Sequence, residues 1–595
     1  MTSNHETLPV QRCSAVSFNG RIHPSRTGTT TPHTPSPSMP NLSRSARHSL
    51  VVFLAAASPL AAQHDDHAHG SSPSAVSDIA RLGRVEFANS GAPAAQPAFM
   101  RGMTLLHSFL FDEARTAFRE AQAADPRFAM AYWGEMMSAA GDSAAIDSVL
   151  HRFGGTAAER MAKAPTPRER DYLALAERFL PSTSEEDSVT IAYADAWRSL
   201  HERYPDDDDA TLFYALSLIS RRYIEQADAN RSLRTAVEAG ALIEDVFRRR
   251  PEHPGAAHYL IHAYDDARLA PLGLRAARVY ARIAPAAHHA VHMPSHIFFQ
   301  FGMWDEVVAA NERGWALSKA RTGGGELPPE EWDYHALDWL HFGYLQQGRF
   351  RRARVLADSV RAIWTPARIA AAPEYLRGFL GRLASTLDAR DALETGRYPA
   401  PVDPARLVSA TDLLVAAMAA ASRRDPAGID AVQRRLEAVN DSMGKANPTA
   451  VGPSQRAAVL RVRAVRAQAA GHADSAVALL RMAADSVTLD PALFLAEGPQ
   501  RSSVGITHLL LARALAEGGH LPDALAAYDR ALELSPGRSA AVLGRARVLA
   551  HLGRADEARR AYAQLMASWK DADADLPDLA EARAGAAAGI AGPRP

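Results

Sequence analysis

The feature that most constrains the fold of this 595-residue chain is a 34-residue period near its C-terminus. Glycine, alanine and tyrosine each recur at this spacing, as Gly519 and Gly553, Ala524 and Ala558, and Tyr528 and Tyr562. Small residues at fixed positions allow two helices to pack closely, with the glycine at the turn between the two helices of a unit. A chain of this length is also too long for one compact core. The period therefore predicts an extended stack of helical hairpins.

The same register continues upstream. It fits "LLHSFLFDEARTAFREAQAADP" at 105–126, "LQQGRFRRARVLA" at 345–357 and "AGHADSAVALLRMAA" at 470–484. This pattern resembles the tetratricopeptide repeat (TPR), which implies an all-α, TPR-type α-solenoid of stacked helical hairpins. We expect roughly eight to ten hairpins and no β-sheet over 95–570, with the first helix of each hairpin lining a concave surface.

Changes in composition divide the chain into six segments. The predicted segments are a disordered leader, untranslated if Met39 is the start (1–38), a signal peptide (39–62), a flexible His-containing linker (63–94), an N-terminal TPR-like solenoid with a His-rich groove (95–400), C-terminal TPR repeats (401–572) and a flexible tail (573–595).

The signal peptide is predicted from "MPNLSRSARHSLVVFLAAASPLAAQ". Arg44 and Arg47 precede an apolar run at 50–57, and small residues follow near 61–62. This order is typical of secretory signals; a membrane anchor is the alternative. A translation start at Met39 would suit a signal better than Met1. The segment predicts export to the periplasm or secretion, with no membrane insertion after cleavage. The adjoining "HDDHAHG" is either a weak metal-binding tract or a solvated tail.

Charge and cysteine content limit the classes of partner and of metal ligand that the chain can use. The chain carries 66 Lys and Arg against 67 Asp and Glu, which gives no reason to expect nucleic acid as a partner. Its single cysteine, Cys13, lies in the leader. A disulfide framework and a thiolate metal site are thereby excluded, so a metal would need nitrogen and oxygen ligands.

Histidines recur within the repeat register. With Gly302 as a turn glycine, His292 and His296 take positions 5 and 9 of one unit, and His258 and His262 take the same positions of the preceding unit. Residues i and i+4 share a helix face, and neighbouring helices stack about 8–10 Å apart. We expect the four imidazoles to converge on one cavity, with at least three nitrogens reaching a common point. Such a site suits a divalent Zn, Cu, Ni, Mn or Fe ion.

The surrounding register supplies further candidates and one difficulty. Pro294 could interrupt the helix between His292 and His296. The secondary candidates are Asp265 and Asp338 as hydrogen-bond acceptors for the ligands, His335 at position 2 of the next unit, Glu135 and His107 near the cavity, and Trp133 on the concave face.

The segment "HMPSHIF" at 292–298, together with "HYLIHAYDD" at 258–266, resembles exported bacterial TPR proteins that share this motif. The resemblance implies fold and export, and it brings no established activity. We therefore expect an exported module that binds a protein or peptide in its concave groove and carries a His-lined, metal-competent pocket.

Two other functions remain open. One is a metal-dependent hydrolase with Asp265, Glu135 or Asp338 as base on a bound water. The other is an assembly scaffold with incidental histidines. The sequence favours a binding module over an enzyme.

Overall fold

The computed structural model describes residues 81–587 except 140, 183–186, 226–227, 321–326, 373, 408, 447–450 and 489–497. The predicted leader, the signal peptide, Cys13 and the tract at 64–70 lie outside these residues.

The described chain is built from α-helices. In chain order they are α1 Gln96–His107, α2 Phe111–Ala124, α3 Ala129–Ser138, α4 Ser143–Phe153, α5 Ala157–Lys163, α6 Pro167–Phe179, α7 Asp187–Arg203, α8 Asp208–Ile224, α9 Ala229–Arg249, α10 Pro254–Tyr264, α11 Ala270–Ile283, α12 His288–His292, α13 Pro294–Phe299, α14 Trp304–Lys319, α15 Tyr334–Gln346, α16 Phe350–Ile363, α17 Pro366–Ala371, α18 Glu374–Thr395, α19 Ala410–Ser422, α20 Pro426–Ala446, α21 Pro453–Ala469, α22 Ala473–Thr488, α23 Gly498–Glu517, α24 Leu521–Leu534, α25 Ser539–His551, α26 Ala555–Ser568 and α27 Leu579–Ala587. Short 3₁₀ helices lie at Pro93–Ala95, Pro329–Glu331 and Pro404–Arg406. No strand occurs within the described ranges, so the all-α prediction is confirmed.

Neighbouring helices pack as hairpins, as α10 does with α11 and α25 with α26. The turns lie where the register places them. The turn glycines have φ between +65° and +80°, a region that costs glycine little because it lacks a Cβ; they are Gly302, Gly348, Gly471, Gly519 and Gly553. The predicted α-solenoid of stacked helical hairpins is therefore confirmed.

One turn in this register lacks its glycine. Ala114 corresponds to Ala558, which follows the turn residue Gly553 by five positions, so Phe109 stands at the turn position of the first hairpin. Its φ is +56° and its side chain is buried. A left-handed backbone costs an L-residue about 1–2 kcal/mol. The ring of Phe109 must therefore be held by its surroundings.

The C-terminal repeats contact the repeats that carry the histidines. The turn at Gly302 lies against the turn before α25, where the Trp304 indole Nε1 donates to the Gly537 carbonyl (2.8 Å). The backbone N–H of Ser539 donates to Gln346 Oε1 (2.9 Å), and the Trp569 indole donates to the Gln346 carbonyl (3.2 Å). The C-terminal repeats thus cover the turns that follow the histidine-bearing helices.

Two predicted boundaries need correction. Within the predicted linker, residues 81–92 pack on the solenoid, with Leu82, Val85 and Phe87 buried. The predicted tail contains α27, whose Leu579 is buried and whose Glu581 accepts a hydrogen bond from Tyr562. Apolar side chains spaced too sparsely for a repeat still complete the core at both ends.

Across the described helices, none combines the length and apolar character needed to cross a membrane.

Candidate metal centre

The predicted histidines lie in two adjacent triads. The first triad is His258, His262 and His289, and the second is His292, His296 and His335. In the first, the Nε2 atom of His258 lies 3.1 Å from the Nε2 atoms of both His262 and His289. In the second, the Nε2 atoms of His292 and His296 are 3.1 Å apart. Two metal–nitrogen bonds of about 2.0–2.1 Å at roughly 100° would separate their nitrogens by about this distance.

The prediction of a single point of convergence is therefore wrong in one respect. The pairs at positions 5 and 9 come together, but each pair forms its own triad. The rings of His262 and His296 lie 6.2 Å apart between centroids, and those of His289 and His292 lie 6.1 Å apart. The triads are neighbours that share one polar cluster.

Each triad follows the same rule of construction. Positions 5 and 9 of one unit supply two rings, and position 2 of the next unit supplies the third. His335 was a secondary candidate, whereas sequence reasoning missed His289. The signal was present, because His289 and His335 occupy the same repeat position in consecutive units.

Pro294 does not disturb the second triad. It separates α12 from α13, but Met293 between them keeps right-handed helical angles (φ −53°, ψ −35°). Proline is tolerated at a first helical position, where its missing N–H has no partner in any case. The i, i+4 spacing of His292 and His296 is therefore retained.

Acceptors outside the triads orient three of the rings. The Nδ1 of His258 donates to the backbone carbonyl of His107 (2.7 Å), that of His292 to Asn311 Oδ1 (2.6 Å), and that of His296 to Asp265 Oδ2 (2.8 Å). Asn311 Nδ2 donates to the Val307 carbonyl, so its oxygen is the atom that meets His292. Such contacts direct the other ring nitrogen towards a metal.

These contacts determine which ring nitrogen of His292 and of His296 carries the proton. A neutral imidazole carries one N–H, and both His292 and His296 use it at Nδ1. Their Nε2 atoms then present lone pairs to each other across 3.1 Å. Two ring nitrogens at this distance can share a cation, either a proton or a metal ion.

The triads lie inside the protein. His258, His292 and His296 are 0% exposed and His262 is 2% exposed, so these four rings do not line a solvent-exposed groove. Burial first, and then neighbouring imidazoles, lower the pKa values of His258, His262, His289, His292 and His296 well below the usual range. Neutral imidazole is the form that binds metals.

Aromatic side chains cover both triads. The Phe109 ring contacts His258, His262 and His289, with a centroid distance of 4.4 Å to His258. Trp339 stacks on His296 at 4.2 Å. His289 and His335, the position-2 members, are partly exposed, so both triads approach solvent on that side.

A third buried group, His107, Asp209 and His253, is explained by hydrogen bonding. His107 Nε2 lies 2.7 Å from Asp209 Oδ1, and its Nδ1 lies 3.0 Å from the Tyr259 hydroxyl. His253 Nδ1 accepts from the Ala256 N–H as the cap of α10. His107 was predicted to reach the cavity. Its backbone carbonyl does so by accepting from His258, whereas its ring contacts Asp209 and Tyr259.

The remaining secondary candidates lie elsewhere. Glu135 accepts from Arg119, Arg152 and Gln122 within the N-terminal core, and Asp338 pairs with Arg390. Trp133 is fully buried against Phe87 and Tyr172, so it does not line a groove. These corrections arise because each side chain meets a partner distant in sequence, which the repeat register does not specify. Asp265 is the predicted carboxylate that contacts a triad ring.

One comparison with known proteins identifies the repeat. Residues 515–584 match the tetratricopeptide repeat family. No curated protein matches the chain. The solved structure "Crystal structure of APC/C hetero-tetramer Cut9-Hcn1" is similar at 15% identity and a TM-score of 0.32, covering 78% of each chain. "Structure of Naa15/Naa10 bound to HypK-THB" is similar at 12% identity and a TM-score of 0.22, covering 82% of this chain and 65% of that one. These TM-scores are too low for any property to be transferred. The match thus identifies a tetratricopeptide repeat at residues 515–584, within a helical chain.

Proposed function

We propose that this protein is an exported, metal-binding TPR protein, in which the two histidine triads hold transition-metal ions inside the solenoid. The observation that carries the proposal is the convergence of three imidazoles in each triad, where the Nε2 atoms of His292 and His296 lie 3.1 Å apart. A proton between them would create a buried imidazolium, which burial disfavours. A metal ion satisfies both nitrogens without that charge on a ring.

The donor set supports a transition metal. All six ligands are imidazoles, which suit Zn, Cu, Ni and Fe, whereas Mg and Ca prefer oxygen ligands. Among the metals expected from the sequence, Mn²⁺ is the least suited, because it prefers carboxylate and water oxygens.

The hydrolase alternative is less well supported. Its proposed bases Glu135 and Asp338 are engaged with arginines away from the triads. Asp265 contacts the Nδ1 side of His296, on the opposite side of the ring from the metal-facing Nε2. None of these carboxylates is placed to take a proton from metal-bound water.

Metal analysis tests the proposal. Purified protein is loaded with Zn²⁺ or Cu²⁺, desalted and measured by inductively coupled plasma mass spectrometry. We expect retained metal in the natural chain and none in the variant His262→Ala/His296→Ala, which removes one ligand from each triad. His472→Ala, which removes an exposed histidine in a distant repeat, is the control. Equal metal in all three proteins, with unchanged helical circular dichroism, would exclude the triads as the site.

Binding of a protein or peptide has a separate candidate location. A cavity of about 620 Å³ lies in the C-terminal repeats, lined by Arg513 and Arg547, by the carboxylates of Glu394, Glu517 and Asp578, and by the aromatic rings of Tyr528 and Trp569. These side chains suit an extended peptide that carries charges of both signs beside apolar residues. Screening an immobilised peptide library against the natural chain and an Arg513→Glu variant tests this role. Identical binding patterns would argue against it.

Export rests on the sequence alone. N-terminal sequencing of the protein recovered from its host would show a start near residue 62 or 63 if the segment 39–62 is removed. An intact N-terminus in the cytoplasm would contradict this part of the proposal.

A further inference from the structure

We infer that the two triads hold a pair of copper ions and that this pair binds dioxygen between them. The inference rests on the proposed metal binding and adds the number of ions, their identity and a ligand. It starts from the equivalence of the triads. Each is built from repeat positions 5, 9 and 2, so a structural reason for one metal ion applies equally to the other.

The donor chemistry selects copper. Paired iron or manganese ions in helical proteins are held largely by carboxylates, which offset the charge of two cations. Here all six donors are imidazoles, and the carboxylates of Asp265 and Asp333 lie near the second triad without being among its donors. Burying two divalent ions without anionic ligands is costly, whereas two Cu(I) ions bring half that charge. Imidazole is also a suitable ligand for copper.

The arrangement of the triads selects the ligand. Three nitrogens leave a metal with an open position. Rings of the two triads approach within 6.1 and 6.2 Å between centroids, so one small ligand can reach both ions. Phe109 and Trp339 cover the cluster and are 6% and 1% exposed. The covering admits a diatomic molecule more readily than an organic substrate.

The electrons balance in this step. Each Cu(I) ion loses one electron to become Cu(II), and dioxygen gains both to become bound peroxide. The O–O π bond is reduced, two copper–oxygen contacts form, and no proton or further reductant is needed. Copper is a metal that proteins use for dioxygen chemistry.

The test loads the full chain anaerobically with Cu(I) and then admits dioxygen. We expect two copper ions per chain and uptake of one dioxygen per pair. A near-ultraviolet charge-transfer band should appear, while electron paramagnetic resonance should show no signal because the two Cu(II) spins couple. Removing dioxygen under vacuum should reverse the band.

Two single variants isolate the pair. His289→Ala opens the first triad and His335→Ala opens the second, and both rings are partly exposed, which limits damage to packing. Each variant should retain one copper ion and lose at least nine-tenths of the dioxygen uptake, while the His472→Ala control should behave as the natural chain. One copper per natural chain, or two copper ions without dioxygen uptake, would overturn this inference and leave metal binding intact. No retained metal of any kind would instead overturn the proposed function.

Discussion

The histidine-bearing repeats and the C-terminal repeats use the same positions for different surroundings. In the former, positions 5 and 9 hold His258, His262, His292 and His296, all buried. In the latter, position 9 holds Arg513 and Arg547, which line an open cavity together with Leu543 at position 5; Ala540 at position 2 also lies there. The repeat determines where a side chain points. The chemical type of that side chain, and the residues that pack over it, determine whether the position belongs to a metal centre or to a groove.

The largest expected effect on the free energy of unfolding comes from exchanging the position-9 residues of the two regions. His262→Arg would bury a guanidinium among neutral imidazoles and Phe109, so we expect the free energy of unfolding to fall by about 3–5 kcal/mol. The reverse change, Arg547→His, removes partly exposed ion pairs with Asp578 and Glu581 and should cost less than about 1 kcal/mol. Urea unfolding of both metal-free variants measures the difference. Similar losses would mean that the two regions differ less than their burial indicates.

A second prediction separates the two triads. Asn311→Leu removes the side-chain acceptor of His292, whereas His258 in the first triad is oriented by a backbone carbonyl that substitution leaves in place. Losing such an acceptor weakens metal affinity by about 10–100-fold. We expect Asn311→Leu to weaken one of two binding steps in calorimetric titration and to leave the other unchanged. Weakening of both steps by the same factor would show that the triads act as one site.

A third prediction concerns a buried histidine outside the triads. Neither ring nitrogen of His341 in α15 has a hydrogen-bond partner among the described residues. Burial, followed by the charge of Arg390, lowers its pKa to about 3. As pH falls below the ordinary histidine pKa of about 6.5, His341 is protonated in the unfolded chain but stays neutral in the folded chain. The contribution of neutral His341 to the free energy of unfolding is thus fully present above about pH 6.5 and is lost progressively towards pH 3.

At pH 5 this loss amounts to about 2 kcal/mol relative to pH 8. His341→Leu abolishes it, so the stability gained by the variant should be larger at pH 5 than at pH 8 by about that amount. Urea unfolding of the metal-free proteins at the two pH values tests this. A gain independent of pH would mean that His341 is accessible to protons in the folded state.

The sequence could predict the helical hairpins, the turn glycines and the two histidine pairs, because each depends on spacing within one unit. It could not predict the burial of those pairs. Burial depends on Phe109 and Trp339, which come from other units and meet the rings only once those units are packed together. Asp338 was misassigned for the same reason, since its partner Arg390 lies beyond the repeat that contains it. His289 was within reach of the register argument and was overlooked.

The smallest expected effect compares two turns that lack glycine. Phe109 and Arg424 both have left-handed backbones, with φ of +56° and +57°. Arg424 is exposed, so Arg424→Gly should stabilise the protein by about 1 kcal/mol through relief of strain. Phe109→Gly gains the same relief but loses a buried ring, and we expect a net loss of about 1 kcal/mol.

Phe109→Gly should also release metal from the first triad faster when a chelator is added, whereas Arg424→Gly should not. Stopped-flow measurement of chelator absorbance tests this. Equal release rates in the two variants would show that the ring of Phe109 does not restrict access.

The construction of each triad from two consecutive repeats has a consequence for cooperativity. In a repeat array, stability is approximately a sum of the intrinsic stability of each unit and of coupling between neighbours. Two ligands from one unit and one from the next make metal binding part of that coupling. Loading the triads would therefore join three successive units into one cooperative block. Without metal, the same units would be free to unfold as separate steps.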